Sequence, residues 1–121
     1  MEETKIDFVL PKEYKENENT VRVSGGSGWY GLAWCVVNKL RESMAPVDLV
    51  FMGAVPAWQC MRALGAVFED NSNNLFADIM YIRTPVNDVK KRAVLVRVSA
   101  EDYTSVADPV KWKHMDEDSV D

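Results

Sequence analysis

The chain of 121 residues has room for one domain, because a second hydrophobic core would leave each half near the size at which folding alone becomes marginal. Its hydrophobic fraction of 47% is typical of a globular protein, and no run approaches the roughly 18 apolar residues of a membrane-spanning helix. The first residues, MEETKIDFVL, lack the basic start and long apolar stretch of a secretory signal. We therefore expect a single cytoplasmic domain.

The net charge of −5 is distributed unevenly along the chain. Residues 20–105 carry nine Lys and Arg against eight Asp and Glu, whereas each end carries three more acidic than basic side chains. Polar segments with an excess of one charge are typically solvated. The sequence therefore predicts a flexible acidic N-terminal arm over residues 1–19, a folded domain over residues 20–105 and a disordered acidic tail over residues 106–121.

The first predicted elements are a strand and a helix. The letters TVRV from Thr20 alternate as in a half-buried strand. A glycine-rich turn, GGSG, follows, and Ser27 is the predicted N-cap of a helix that begins at Gly28 or Trp29 and ends near Ser43. Apolar residues recur along this helix at i, i+3, i+4 and i+7, which predicts one buried face. They are Trp29, Leu32, Ala33, Val36, Val37 and Leu40.

A second strand and helix follow. Pro46 ends the first helix because its ring removes a backbone donor and disfavours helical geometry just before it. The run VDLVFMG predicts a buried central strand, and Pro56 suits the first turn of a helix that ends near Phe68. The side chains expected in the core from this helix are Ala57, Cys60, Met61, Leu64 and Phe68.

The remaining pattern predicts a hairpin. After the loop EDNSNN, the runs LFADIMYIR and RAVLVRV are predicted as two strands joined by a loop, TPVNDVKK. The two crossovers imply parallel pairing and the hairpin implies antiparallel pairing. We therefore expect an α/β (α+β) fold of order βαβαββ: a two-layer sandwich with a four-stranded mixed sheet and both helices on one face.

The glycine-rich turn leaves two interpretations open. Gly26 to Gly31 matches the GxGxxG pattern of dinucleotide-binding domains, but no acidic residue closes the second strand and no third crossover helix follows. One interpretation is a tight turn that needs glycine for its dihedral angles. The other is a loop whose N–H groups, with the positive end of the helix dipole, bind a phosphate.

The sequence predicts no enzyme, no metal site and no cofactor. The only histidine, His114, lies in the acidic tail, so neither a Ser-His nor a Cys-His scheme has a well-placed base. Cys35 and Cys60 lie in apolar helical stretches without metal-ligand spacing, and are expected to be buried thiols.

Two further clusters have both a structural and a functional interpretation. The run from Lys90 to Arg92, with Arg83 on the facing strand, is either a solvated hairpin or a contact for a nucleic-acid backbone. Trp58, beside Arg62, is either a packing residue or an anchor for a partner.

Three patterned stretches together cover about residues 20–102. They are TVRVSGGSGWYGLAWCVVNKL, VDLVFMGAVPAWQCMRALGAVFE and LFADIMYIRTPVNDVKKRAVLVRVSAED. This part of the chain resembles stage V sporulation protein S and, more distantly, the Alba-like nucleic-acid-binding proteins. The resemblance is carried by Val23-Ser24 at the end of the first strand, by Gly53-Ala54 after the second, and by the spacing of Ala57 and Ala63. It implies the βαβαββ fold, a homodimer, and DNA or RNA binding through the loop after the first strand, the start of the second helix and the basic hairpin. The residues then expected to contact nucleic acid are Ser24, Gly25, Gly26, Ser27, Gly28, Arg62, Arg83, Lys90, Lys91 and Arg92.

Two functional hypotheses follow. In the first, the chain is a dimeric nucleic-acid-binding regulator, cytoplasmic and associated with the nucleoid if the ligand is DNA, and its acidic tails compete with nucleic acid for the basic hairpin. In the second, the same scaffold is a protein-interaction module that has lost direct nucleic-acid binding and uses Trp29, Trp58 and Trp112 as anchors. The resemblance favours the first hypothesis, and the near-neutral charge of residues 20–105 favours the second.

Overall fold

The chain folds into one mixed sheet that carries two helices. The structure, a computed structural model, describes residues 12–111. In chain order the elements are β1 (Lys12–Glu13), β2 (Thr20–Arg22), α1 (Trp29–Ser43), β3 (Val47–Phe51), α2 (Ala54–Phe68), β4 (Leu75–Val86), β5 (Val89–Ala100) and a short 3-10 helix (Tyr103–Ser105). The predicted α+β class is confirmed. The described sheet has five strands rather than four, because β1 adds to its edge.

The strand order is β1-β4-β5-β3-β2. β2 pairs with β3 in parallel, as predicted for the first crossover, and β4 pairs with β5 as an antiparallel hairpin. The predicted parallel pairing at the second crossover is wrong: β4 runs in the same direction as β3, but β5 lies between them and pairs with both. The hairpin returns along β3, so the crossover places β4 one strand further out.

The bounds of α1 agree with the sequence prediction, but its N-cap does not. Gly28 is the N-cap and makes no side-chain capping bond. Ser27 stays in the preceding loop, where its hydroxyl oxygen accepts the N–H of Ser24 at 3.2 Å. The helix ends at Ser43, and its C-cap, Met44, adopts a left-handed conformation with φ 54° two residues before Pro46.

The core lies between the helices and one face of the sheet. Alternate residues of a strand face the same side, so Val47, Leu49 and Phe51 of β3 meet the helices. The fully buried side chains of α1 are Ala33, Val36, Val37 and Leu40, with Leu32 almost so. The buried stripe of α2 is Cys60, Ala63, Leu64, Ala66 and Val67.

Met61 is an exception to the predicted core, since it is 56% exposed. It follows Trp58 by three residues, about one helical turn, and so lies on the same outer side of α2. The small side chains of Ala63 and Ala66 are buried instead.

Among residues 12–111, no helix is both long and apolar enough to cross a membrane.

The opposite face of the sheet, here called the open face, has a smaller core. Val50, Ile82, Ala93 and Leu95 are buried there, and Tyr14 packs against them. Residues 12–19, here called the strap, cross this face from β4 to β2: the N–H of Tyr14 donates to the carbonyl of Arg83, and the carbonyl of Asn19 accepts from Asp48.

A polar network is embedded in the open face. The Tyr14 hydroxyl donates to Asp48 at 2.6 Å, and Arg97 donates two hydrogen bonds to the same carboxylate at 2.7 and 3.0 Å. Burial and the hydrogen bond to Asp48 raise the pKa of Tyr14 to about 12. Burial alone would raise the pKa of Asp48, but the hydrogen bonds from Arg97 and Tyr14 outweigh it and hold that pKa below its usual range. Asp48 is therefore a buried carboxylate that stays ionised.

Three sequence-based boundaries are corrected by the structure. The predicted arm over residues 1–19 is structured from Lys12, because the strap pairs with β4 and packs on the open face. The predicted tail over residues 106–121 begins too early, because Val106 is buried in the core and Val110 donates to the carbonyl of Ala66. Residues 1–11 and 112–121, including Trp112 and His114, lie outside the described residues.

The third correction concerns TPVNDVKK, which is not a loop. β4 continues to Val86 and β5 begins at Val89, so only Asn87 and Asp88 form the turn. Both have positive φ, 50° and 65°, as a tight two-residue hairpin turn requires. Asn and Asp tolerate this conformation better than most residues. The hairpin therefore extends past the end of β3, whose last paired residue is Phe51.

Candidate functional site

The glycine-rich loop lies against the start of α2. Its backbone turns so that the N–H of Ser27 donates to the carbonyl of Ser24 at 3.1 Å. A Cβ atom on Gly25 would lie 3.2 Å from Cγ1 of Val55, which is closer than side chains normally approach. A side chain at position 25 would therefore require Val55 to shift by a few tenths of an ångström. Ser24, Gly25, Gly26 and Gly28 are exposed, and Ser27 is half-buried.

The start of α2 depends on another glycine. Gly53, the N-cap residue, has φ 92° and ψ 166°, a conformation open essentially to glycine alone. Neither α1 nor α2 has an acidic residue in its first turn. Since both helices follow parallel strands, both N-termini lie at the same end of the sheet, where their dipoles are positive.

An arginine joins the two helices at this end. The guanidinium carbon of Arg62 lies 5.2 Å from the ring centre of Trp29 and 5.5 Å from that of Trp58. This is cation–π geometry. Trp58 is 59% exposed, whereas Trp29 is half-buried against the core. Trp29 therefore forms one cluster with Trp58 and Arg62, and Trp58 lies on its outer side.

The hairpin presents its basic residues on both of its faces. Arg92 lies directly opposite Arg83, and Lys91 opposite Thr84. Because neighbouring residues of a strand alternate in direction, Arg83 and Arg92 lie on the helix-bearing side and Lys91 on the open face. Near the hairpin turn, Lys90 forms an ion pair with Glu13 at 2.7 Å.

One groove connects the three predicted regions. It has a volume of about 440 Å³ and is bordered by Ser24 and Gly25 of the loop, Pro56 of α2 and Val86 of the hairpin. Its floor is the end of β3. The structure thus brings the loop, the start of α2 and the hairpin to one end of the molecule.

Arg22 belongs to the same end and was missed by the sequence-based prediction. It lines the groove, donates to Thr84 of the hairpin at 2.8 Å, and forms an ion pair with Glu16 of the strap. The alternation of TVRV does indicate that Arg22 points away from the helices, since its neighbours Val21 and Val23 pack in the core. Its contact with Thr84, however, depends on the position of a strand that comes 62 residues later.

The two cysteines lie apart from the groove in the part of the chain that the structure describes. Cys60 is buried, which raises the pKa of its thiol to about 11, and Cys35 is half-buried. Over the described part of the chain, no three His, Cys, Asp or Glu side chains are grouped so that they could hold a metal ion.

No model of a known protein family matches the chain, and no curated protein matches it significantly.

Proposed function

We propose that this chain is an Alba-like nucleic-acid-binding regulatory protein that acts as a dimer and contacts the phosphate backbone of DNA or RNA. The observation that carries the proposal is the convergence of the Ser24–Gly28 loop, the start of α2 and the β4–β5 hairpin around one groove. The resemblance to stage V sporulation protein S supports it, because proteins of that kind bind through these three elements. The proposed role is binding rather than catalysis, without metal or cofactor, in the cytoplasm and at the nucleoid if the ligand is DNA.

Electrostatics at this end favour an anionic ligand. Two helix N-termini without acidic first-turn residues meet the exposed glycine loop, whose N–H groups suit phosphate oxygens. The elements that meet at this end, together with β2, carry five cations. They are Arg22, Arg62, Arg83, Lys91 and Arg92. The charge of residues 20–105 is nearly balanced overall, but these five side chains belong to elements that border the groove, and Arg22 lines it.

Replacing Lys91 or Arg92 with alanine is expected to weaken nucleic-acid binding about threefold to tenfold, because each removes one phosphate contact. The measurement is fluorescence anisotropy of labelled single- and double-stranded DNA and RNA with the full chain, at about 50 and about 200 mM KCl. If about three phosphates are neutralised, this rise in salt weakens wild-type binding about fortyfold, and each substitution lowers the salt slope by about one.

Lys39→Ala is the matched control for these variants. Lys39 lies ten residues beyond Trp29, about 15 Å along α1, and donates to the carbonyl of Glu18 at the far end of the sheet. The Lys39→Ala substitution also removes one positive charge, but at a distance from the groove. It should leave the affinity for nucleic acid unchanged. Absence of binding to every probe at low salt, or equal losses in all three variants, would refute the proposal.

The protein-interaction hypothesis is favoured by a different observation. Val55, Trp58 and Met61 on α2 are each more than half exposed, and exposed apolar clusters of this kind mark interaction surfaces. A protein partner held there would bind with little dependence on salt or on Lys91. Its binding would be lost in Trp58→Ala, because large aromatic anchors dominate such interfaces.

The proposed dimer uses this apolar side of the molecule. Ile79 and Tyr81 of β4, 66% and 72% exposed, lie opposite Val96 and Val94 and so face the same side of the sheet as α2. Burying these side chains with those of α2 would favour self-association. In sedimentation velocity, the full chain is expected to sediment as a dimer of the 13.7 kDa chain, and Ile79→Asp as a monomer.

Val89→Asp is the control for the dimer. Val89 is 56% exposed but lies at the hairpin turn, away from α2. A wild-type chain that stays monomeric at tens of micromolar, or equal dissociation by both variants, would contradict the proposed interface.

A further inference from the structure

The strap places two carboxylates on cations of the proposed binding end. Glu13 of β1 bonds Lys90 of the hairpin at 2.7 Å, and Glu16 pairs with Arg22 beside the groove. The hydrogen bond and charge of Lys90 hold the pKa of Glu13 below its usual range. Both cations are thereby occupied by carboxylates of the same chain.

Tyr14, which lies between these glutamates, fixes the strap. Its ring packs on the open-face core, its N–H donates to Arg83, and its hydroxyl bonds Asp48. The two carboxylates are therefore held beside their cations at a high effective concentration. The ion pairs themselves are exposed, with side chains 43% to 59% accessible, and exposed pairs are weak and exchange readily. Tyr14 therefore holds the strap in place, whereas the ion pairs of Glu13 and Glu16 can be replaced by other partners.

We propose that Glu13 and Glu16 are intramolecular competitors that lower the affinity of this end for the phosphate backbone. The inference rests on the proposed function. A bound phosphate takes the place of each carboxylate on Lys90 and Arg22, while Tyr14 keeps the strap on the open face. The incoming phosphates replace existing ion pairs. Lys90 and Arg22 therefore contribute less to the binding free energy of the wild-type chain than they would without the two carboxylates.

The test compares Glu13→Gln/Glu16→Gln with a control of equal charge, Glu18→Gln/Glu42→Gln. Glu18 and Glu42 are exposed and lie near Lys39, at the other end of the molecule. With labelled single-stranded and duplex DNA at about 50 mM KCl, the first variant is expected to bind about fivefold to tenfold more tightly than wild type. The control is expected to change affinity less than about twofold, since its charges are screened by distance.

A double-mutant cycle with Lys90→Ala tests whether Glu13 lowers the affinity for nucleic acid through its ion pair with Lys90. If Glu13 acts through Lys90, Glu13→Gln should increase affinity in the wild-type chain but not in Lys90→Ala. Equal increases in both backgrounds, or in the strap variant and its control, would overturn the inference while leaving the proposed function in place. Failure of wild type and strap variant alike to bind would overturn both, because removal of the competitor should reveal any affinity.

Discussion

Asp48→Ala is expected to lower the free energy of unfolding by about 2–4 kcal/mol, the largest effect of any single substitution considered. Asp48 is 2% exposed and accepts two hydrogen bonds from Arg97 and one from Tyr14. Its removal leaves the inner side of the guanidinium without its acceptor, and leaves the Tyr14 hydroxyl with Thr20 Oγ1, at 2.6 Å, as its remaining partner. Arg97 is partly exposed and can recover hydrogen bonds to water, which keeps the loss below that of a fully buried ion pair.

Urea denaturation of Asp48→Ala beside Asp78→Ala measures this effect. Asp78 also lies opposite Arg97, on the other neighbouring strand, but is exposed. We expect Asp78→Ala to change the free energy of unfolding by less than about 0.5 kcal/mol. Replacing the whole network, as in Asp48→Leu/Arg97→Met/Tyr14→Phe, should restore much of the lost stability because no buried polar group remains unpaired. Equal stabilities of the two aspartate variants would contradict this role of Asp48.

The same network gives stability an acid dependence. The pKa of Asp48 is lower in the folded chain than its ordinary value of 3.8, so the folded state binds this proton less readily than the unfolded state. The contribution of the Asp48 carboxylate to the free energy of unfolding is complete above about pH 4. It is lost as the pH falls through the pKa of Asp48 in the folded state. The free energy of unfolding should therefore decrease less steeply with acid in Asp48→Ala than in wild type.

The sequence predicts the helices well because their signals are local. The apolar period of α1 and the position of Pro46 determine where that helix lies and ends, and Pro56 indicates the first turn of α2. The turn of the hairpin is harder to predict. Asn87 and Asp88 are residue types that tolerate positive φ, but they lack the glycine of the strongest two-residue turn signals, and the polar composition of TPVNDVKK predicts a loop.

Contacts between distant segments account for what the sequence did not predict. β1 has two residues, and its pairing with Ile82 and Arg83 depends on a free edge of β4 that no local pattern reveals. The interaction of Arg62 with both tryptophans needs the two helix starts to be adjacent. The sequence therefore indicates the loop, the start of α2 and the hairpin as separate candidates, whereas their grouping around one groove and the two glutamates on Lys90 and Arg22 follow from the tertiary fold.

The attachment of the C-terminal segment gives the second large effect. Asn71, 3% exposed, donates to the carbonyls of Val67 and Ala107 at 2.7 and 3.1 Å, and accepts the N–H of Ala107 at 2.8 Å. The neighbouring Val106 is buried in the main core. Asn71 thus satisfies both backbone groups of Ala107, next to the Val106 carbonyl that accepts from Arg41.

Asn71→Ala is expected to lower the free energy of unfolding by about 2–3 kcal/mol, because both backbone groups of Ala107 lose their partner inside the fold. Asn73→Ala, an exposed change two residues away in the same loop, is the control and should be nearly neutral. Hydrogen exchange provides a second measurement: the amides of Ala107 and Val110 should lose protection in Asn71→Ala before those of β3 do. If the two variants are equally stable and Ala107 remains protected, the segment is held by Val106 and by Arg41, which donates to the Val106 carbonyl, and not by Asn71.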